Sequence, residues 1–133
     1  MATVLIGENV PDLARGLNLL FTRAGHQTRV TVTGPATLAG ARDDAPDLLV
    51  MNPALPGLDG LEVCRRLRAD PATAGLPIIM LSVFHHATEV IAAYTAGADD
   101  YLGKPYDNSD LLTRAETLLH PPTPSTAGEA TAD

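Results

Sequence analysis

An asparagine directly follows an apolar run at a place where a polar side chain can take part in chemistry. The run LLVM, residues 48–51, is typical of a buried strand, and Asn52 with the Pro and Gly residues after it begins a loop. In an open α/β sheet, sites form at the carboxyl ends of the strands. An amide there can donate and accept hydrogen bonds, but it lacks the anionic oxygen of a carboxylate nucleophile. Taken alone, Asn52 is also compatible with a loop-entry residue that bonds nearby backbone.

The other chemically reactive residue types favour structural roles. Cys64 is the only cysteine, which excludes an intrachain disulfide and any multi-cysteine metal site. Its position in LEVCRRLR predicts a small residue packed on a helix. His85 and His86 are adjacent, and adjacent side chains on a helix point about 100° apart, so we expect solvated residues at a helix start and no metal site.

The elements that must position Asn52 alternate between strand and helix. Apolar runs predict strands near residues 3–6, 28–33, 47–51, 77–81 and 99–103. Helical spacing follows each run, with Gly97 as a left-handed cap and Asn108 or Ser109 as the cap of the last helix. Five such repeats predict a parallel sheet covered on both faces, in the strand order 2-1-3-4-5 of a flavodoxin-like three-layer α/β/α fold.

Composition limits the classes of function. A chain of 133 residues with 45% hydrophobic content predicts one domain, placed at residues 1–119. Residues 120–133 are rich in Pro, Thr and Ala and predict a flexible tail or linker, compatible with a module of a longer regulator. The amino terminus has no long hydrophobic run, so we expect a cytoplasmic protein without a membrane span. A net charge of −7 argues against direct nucleic-acid binding by this domain.

Three ordered segments resemble the matching blocks of response-regulator receiver domains of two-component systems. They are PDLLVMNPALPGLDGLEVCRRLR, LPIIMLS and AGADDYLGKPY, and the similarity spans residues 3–119. The resemblance implies a CheY-like fold and a role in phosphorelay signalling. In such domains an aspartate that ends the third strand accepts phosphate, assisted by an acidic pair, a hydroxyl, a lysine and a switch aromatic. The resemblance carries these roles onto Asn52, Glu8 with Asn9, Ser82, Lys104 and Tyr101.

The hydroxyl, the lysine and the aromatic match the family pattern, whereas the acidic centre does not. An amide at position 52 should not form an acyl phosphate. Magnesium sites of this type offer about three carboxylates, and Glu8 alone remains, so we expect weak or absent Mg²⁺ binding and no cofactor. Asn9 is equally compatible with a turn or cap residue, and Ser82 with a plain strand end. The resemblance makes Asp59, in the LDG turn at 58–60, a loop residue that caps a helix rather than an acceptor.

Lys104 is the only lysine of the chain, beside eight arginines. A compact ammonium at the family's lysine position predicts a pocket residue. Its expected partners are Glu8 and the side-chain carbonyl oxygen of Asn52. We expect polar partners rather than core packing to hold it, and hence a stability loss of about 1 kcal/mol for Lys104→Ala.

These observations favour an atypical receiver that acts without phosphorylation and without catalysis, as a protein-interaction module. Both a place in a transcriptional regulator and a stand-alone adaptor are compatible with the sequence. The resemblance places its contact surface with an output domain, a protein partner or a second copy on helix 85–96, strand 100–103 and helix 109–119.

Two other functions remain compatible with the sequence. One is a receiver phosphorylated at a non-standard residue. The other is a sensor that binds a small-molecule metabolite in a neutralised pocket formed by Glu8, Asn52, Ser82 and Lys104.

Overall fold

Five parallel strands alternate with five helices in the computed structural model, which describes residues 1–83 and 86–121. The strands are β1 (Thr3–Gly7), β2 (Gln27–Thr31), β3 (Leu48–Met51), β4 (Ile78–Ser82) and β5 (Asp100–Gly103). The helices are α1 (Pro11–Arg23), α2 (Gly34–Asp44), α3 (Gly60–Ala69), α4 (Ala87–Ala96) and α5 (Asn108–Leu119). The sheet order is β2-β1-β3-β4-β5 and every pairing is parallel. The predicted fold class and strand order are confirmed.

The two faces of the sheet carry separate hydrophobic clusters, as a three-layer architecture requires. Successive side chains of a strand point to opposite faces, so Leu49 packs with α2, α3 and α4 whereas Leu48 packs with α1 and α5. Every residue of β3 and β4 is buried. The continuous apolar runs of these central strands therefore reflect burial on both faces.

Helix capping differs from the sequence-based prediction at the start of two helices. The second strand was expected to reach residue 33 but ends at Thr31, because Thr33 is the N-cap of α2 and accepts a hydrogen bond from the Ala36 N–H. The N-cap of α5 is Asp107, which accepts from the Ser109 N–H, and not Asn108 or Ser109 as expected.

Other local predictions are confirmed. Gly97 ends α4 in the left-handed conformation, with φ of 115°. Asp59 caps α3 by accepting from the Glu62 N–H at 2.9 Å. Cys64 is a fully buried residue of α3, and burial raises the pKa of its thiol.

The described residues contain no helix with the length and apolar character needed to cross a membrane. The proposed tail lies almost entirely outside the described residues, as does His85. The domain boundary at residue 119 therefore stays a prediction.

Candidate functional site

The ends of three strands bring Glu8, Asn52 and Lys104 together. Backbone hydrogen bonds continue past each strand, so that the Glu8 N–H donates to Thr31 at 3.0 Å, the Asn52 N–H to Gly7 at 2.9 Å and the Lys104 N–H to Ser82 at 2.7 Å. The three residues therefore follow β1, β3 and β5 at the carboxyl edge of the sheet. This is the edge where open α/β folds place their sites.

The Glu8 carboxylate is the centre of this group. Its Oε1 lies 2.8 Å from Lys104 Nζ, and its Oε2 accepts from Asn52 Nδ2 at 3.1 Å and from the Val10 N–H at 3.2 Å. Both carboxylate oxygens are thus engaged within the chain. The formal charges of Glu8 and Lys104 cancel, and Asn52 adds none.

The Glu8–Lys104 ion pair is buried, which the sequence did not predict. The side chains of Glu8 and Lys104 are 1% and 8% exposed. The expected contact of Lys104 with Glu8 is present, and its burial favours a larger stability loss for Lys104→Ala than the roughly 1 kcal/mol expected from the sequence. Removal of either partner leaves an uncompensated charge in the interior.

Asn52 combines the two roles that the sequence left open. Its Nδ2 donates to Glu8, while its Oδ1 accepts from the Ala54 N–H at 2.9 Å and so holds the loop that follows β3. The expected contact between Lys104 and this oxygen is wrong. Among the described residues, the Lys104 ammonium has Glu8 as its only hydrogen-bond partner.

The remaining predicted site residues are arranged around this centre. Ser82 is buried at the end of β4, and Tyr101 is half-buried in β5 against the cluster that packs with α4. Asn9 is exposed, and Val10 rather than Asn9 is the N-cap of α1. Within the part of the chain that the structure describes, no hydrogen bond holds the Asn9 side chain, so its capping role is not observed.

Tyr106 is a residue near the site that sequence reasoning missed. It is half-buried, and burial together with the negative charge of Glu8 raises the pKa of its hydroxyl. Its signal was its place two residues after Lys104 in the segment GKPY. Tyr106 packs against the hydrophobic cluster that lies between the sheet and helices α1 and α5.

The donor set does not fit a divalent cation. Hard cations such as Mg²⁺ bind through anionic oxygens with free lone pairs, and the one carboxylate of the centre is already engaged by an ammonium and two N–H groups. No group of three or more His, Cys, Asp or Glu residues suited to a metal occurs among residues 1–83 and 86–121. His86 is the exposed N-cap of α4.

A cavity of about 380 Å³, here called the α4 cavity, lies beside the centre. It is lined by the loop after β3, by Leu61, Ser82 and Tyr101, and by Thr88, Glu89 and Ala92 of α4. Of the four residues expected to form a metabolite pocket, Ser82 alone lines it. Glu8, Asn52 and Lys104 instead close on one another.

The predicted contact surface carries exposed apolar residues and an ion-pair network. Ile91 and Tyr94 of α4 are 62% and 46% exposed. Asp100 of β5 lies 2.6 Å from the Arg114 guanidinium and accepts from the Tyr94 hydroxyl at 3.3 Å. Arg114 also pairs with Asp110 at 3.1 Å, so ion pairs join β5 to α5 and the Tyr94 hydrogen bond joins α4 to them.

Comparison with known proteins identifies the family to which the chain belongs. The family model described as response regulator receiver domain matches residues 4–116. The DNA-binding response regulator MtrA of Mycolicibacterium smegmatis is 35% identical over 87% of this chain and 50% of its own length. The DNA-binding dual master transcriptional regulator RpaA of Synechocystis is 35% identical over 90% and 49%. The chain therefore spans about half the length of these relatives.

Solved structures agree with this result. A putative response regulator from Chloroflexus aurantiacus superposes with a TM-score of 0.85 at 36% identity, covering 89% of this chain and 97% of that chain. The signal receiver domain of a signal transduction histidine kinase from Syntrophus aciditrophicus gives a TM-score of 0.83 at 28% identity, covering 90% of each chain.

Proposed function

The chain belongs to the response regulator receiver domain family, and from this premise we propose that it is a member that signals without phosphorylation of its own site. In this proposal Asn52 stands at the phospho-acceptor position and Glu8 with Asn9 at the acidic pair. Ser82, Lys104 and Tyr101 keep the positions of the hydroxyl, the lysine and the switch aromatic. The domain then acts as a protein-interaction module rather than as an enzyme.

One observation carries the proposal, namely that the Glu8 carboxylate is held by both Lys104 and Asn52. A phospho-acceptor site needs a free anionic nucleophile and a lysine that can move to the incoming phosphoryl group. Here the lysine is neutralised by a buried carboxylate, and the neighbouring amide has no anionic oxygen. The arrangement supports a fixed internal contact in place of a switchable one.

The absence of a phosphorylation step changes how the domain must be regulated. In this proposal Asn52 does not gain a phosphoryl charge. The signal therefore comes from the concentration or the state of a binding partner. The proposed partner surface is the face of α4, β5 and α5, where Ile91 and Tyr94 are exposed beside the Arg114–Asp100 ion pair. Aromatic and arginine side chains are typical of protein interfaces.

The relatives suggest the larger context of this surface. MtrA and RpaA are DNA-binding response regulators, and this chain matches about half of each. We propose that the domain acts with a DNA-binding output segment in the cytoplasm, either on the same chain or on a partner. The negative charge of the domain argues that DNA contacts come from that output segment.

Intact-mass spectrometry after incubation with acetyl phosphate and Mg²⁺ tests the proposal directly. We expect no mass increase of one phosphoryl group, and we expect beryllofluoride to leave the ¹H–¹⁵N spectrum and the sedimentation behaviour unchanged. Stoichiometric phosphate incorporation would contradict the proposal. Peptide mapping would then locate the acceptor and distinguish a non-standard residue from hydrolysis of the amide.

A further inference from the structure

The walls of the α4 cavity are largely apolar. Pro53 and Ala54 form one side, and Leu61, Ala92 and Tyr101 contribute aliphatic and aromatic surface. A volume of about 380 Å³ lies at the lower end of the roughly 300–1,000 Å³ that small-molecule sites occupy. The cavity therefore suits a compact ligand with an apolar body.

The polar groups of the cavity are acidic or neutral. Asp59 and Glu89 line it, with the hydroxyls of Ser82 and Thr88, and no basic residue is among the described residues that line it. Asp59 Oδ1 accepts from the Glu62 N–H, and Glu89 Oε1 accepts from the Thr88 hydroxyl at 3.2 Å. Neither carboxylate forms an ion pair within residues 1–83 and 86–121, and each keeps an oxygen available to a ligand.

Other carboxylates of the domain form ion pairs with basic residues. Glu62 pairs with two arginines of α3, Glu8 with Lys104 and Asp100 with Arg114. Asp59 and Glu89, in contrast, share one cavity without a cationic partner among the described residues. An apolar pocket with two such carboxylates is complementary to a cation that carries a hydrophobic group.

We propose that the α4 cavity binds a small organic cation with an apolar body, of the class of aryl-alkyl or alkyl amines. The apolar body lies against Leu61, Ala92 and Tyr101, and the ammonium contacts Asp59 and Glu89. A cation near the Tyr101 ring gains additional electrostatic attraction. This site goes beyond the proposed function, because neither Glu8 nor Lys104 takes part in it.

The cavity is connected to both functional features of the domain. Its Ala54 wall is bonded to Asn52 through the Ala54 N–H, and the loop is closed by the Gly60 N–H donating to Pro53 at 2.7 Å. Its other wall is α4, which carries the exposed Ile91 and Tyr94. A ligand in the cavity therefore contacts the Asn52 loop and the helix of the proposed partner surface at the same time.

A charge-matched ligand series tests the proposal. The 133-residue chain, labelled with ¹⁵N, is titrated at low ionic strength with phenethylammonium, 2-phenylethanol and phenylacetate, which share one apolar body and differ in charge. We expect saturable amide shifts at Ala54, Leu61 and Ala92 with phenethylammonium. The alcohol and the carboxylate should bind at least about tenfold more weakly, a difference of about 1.4 kcal/mol.

Three variants assign the binding to the cavity. Asp59→Asn keeps a cap-competent side chain and Glu89→Gln keeps the shape, and each should weaken phenethylammonium binding several-fold. Ala92→Phe should fill the cavity and abolish the saturable shifts. Asp12→Asn, which removes an exposed carboxylate of α1 paired with Arg15, is the matched control and should bind as the parent does. Thermal denaturation of each variant verifies its fold.

The proposal is overturned if phenylacetate binds as tightly as phenethylammonium, or if Ala92→Phe retains the saturable shifts. Binding of a lysine-containing peptide at these residues without binding of the free amine would also overturn it. That result would make the cavity part of a protein interface.

Discussion

Lys104 and Glu8 form a buried ion pair across the carboxyl edge of the sheet. Their charged atoms are 2.8 Å apart although the residues are 96 positions apart in the chain. They follow β5 and β1, which are separated in the sheet by β3 and β4. The contact therefore spans the strand end that carries Asn52, and it connects the first and last strands of the fold.

Removal of the ammonium should destabilise the fold strongly. Lys104→Ala leaves the Glu8 carboxylate buried without a countercharge, and we expect a loss of about 3–5 kcal/mol in the free energy of unfolding, measured by urea denaturation. The double variant Glu8→Leu with Lys104→Met replaces the pair by apolar groups and should lose less than Lys104→Ala alone. A loss near 1 kcal/mol for Lys104→Ala would show that water reaches the carboxylate.

Restoration of the acidic centre should require two substitutions. Asn52→Asp supplies a nucleophile, but Asn9 remains neutral and Glu8 remains paired with Lys104, so phosphorylation by acetyl phosphate should be weak at best. Adding Asn9→Asp raises the local carboxylates to three, and the double variant should take up phosphate in a Mg²⁺-dependent way, as measured by intact mass.

The single variants are the controls for this test. Asn9→Asp alone should not be phosphorylated, since Asn52 is still an amide. If Asn52→Asp alone reacts as well as the double variant, then Asn9 has no part in the site and is only an exposed turn residue.

Arg68 should be a major contributor to stability outside the site. Its guanidinium donates to the carbonyl oxygens of Gly97 and Leu76 at 2.9 and 2.6 Å and pairs with Asp99 at 2.9 Å. Arg68→Ala leaves these carbonyl groups without their donor, and we expect a loss of about 3 kcal/mol in chemical denaturation. Arg66→Ala, which removes an exposed pair with Glu62 on the same helix, is the matched control and should have a much smaller effect.

Tyr106 should make the protein less stable at alkaline pH. Burial and the charge of Glu8 raise the pKa of Tyr106 in the folded state above its ordinary value near 10. The folded chain then retains a proton that the unfolded chain releases, so this contribution is present below about pH 10 and is lost as the pH rises further. Tyr106→Phe should flatten the decline of the unfolding free energy above that pH.

A suitable background isolates the tyrosine in this experiment. Burial also raises the pKa of the Cys64 thiol, whose ordinary value lies close to the same pH range. The comparison is therefore made between Cys64→Ala and Cys64→Ala with Tyr106→Phe. Identical pH dependence of the two proteins would contradict the assigned role of Tyr106.

The sequence alone determined the layout of this protein. Alternating apolar runs and helical patterns specified five strands, five helices and their order, because each element must bury an apolar face and parallel strands need crossovers of one hand. The same patterns placed Asn52 and Lys104 just beyond strand ends, and a left-handed glycine at Gly97 followed from its position after a helix. These features depend on local composition and on rules that hold for every sheet of this type.

Only the tertiary structure decided which charged residues pair, which residue caps α5 and which residues line the α4 cavity. Burial of the Glu8–Lys104 pair depends on atoms contributed by strands far apart in sequence, which no local pattern encodes. Asp107 caps α5 instead of two equally competent neighbours, because only the backbone direction at the helix start selects among them. The Asn52 amide donates a hydrogen bond to Glu8, and neither residue lines the α4 cavity. The loop that follows β3 and the helix α4 line this cavity instead.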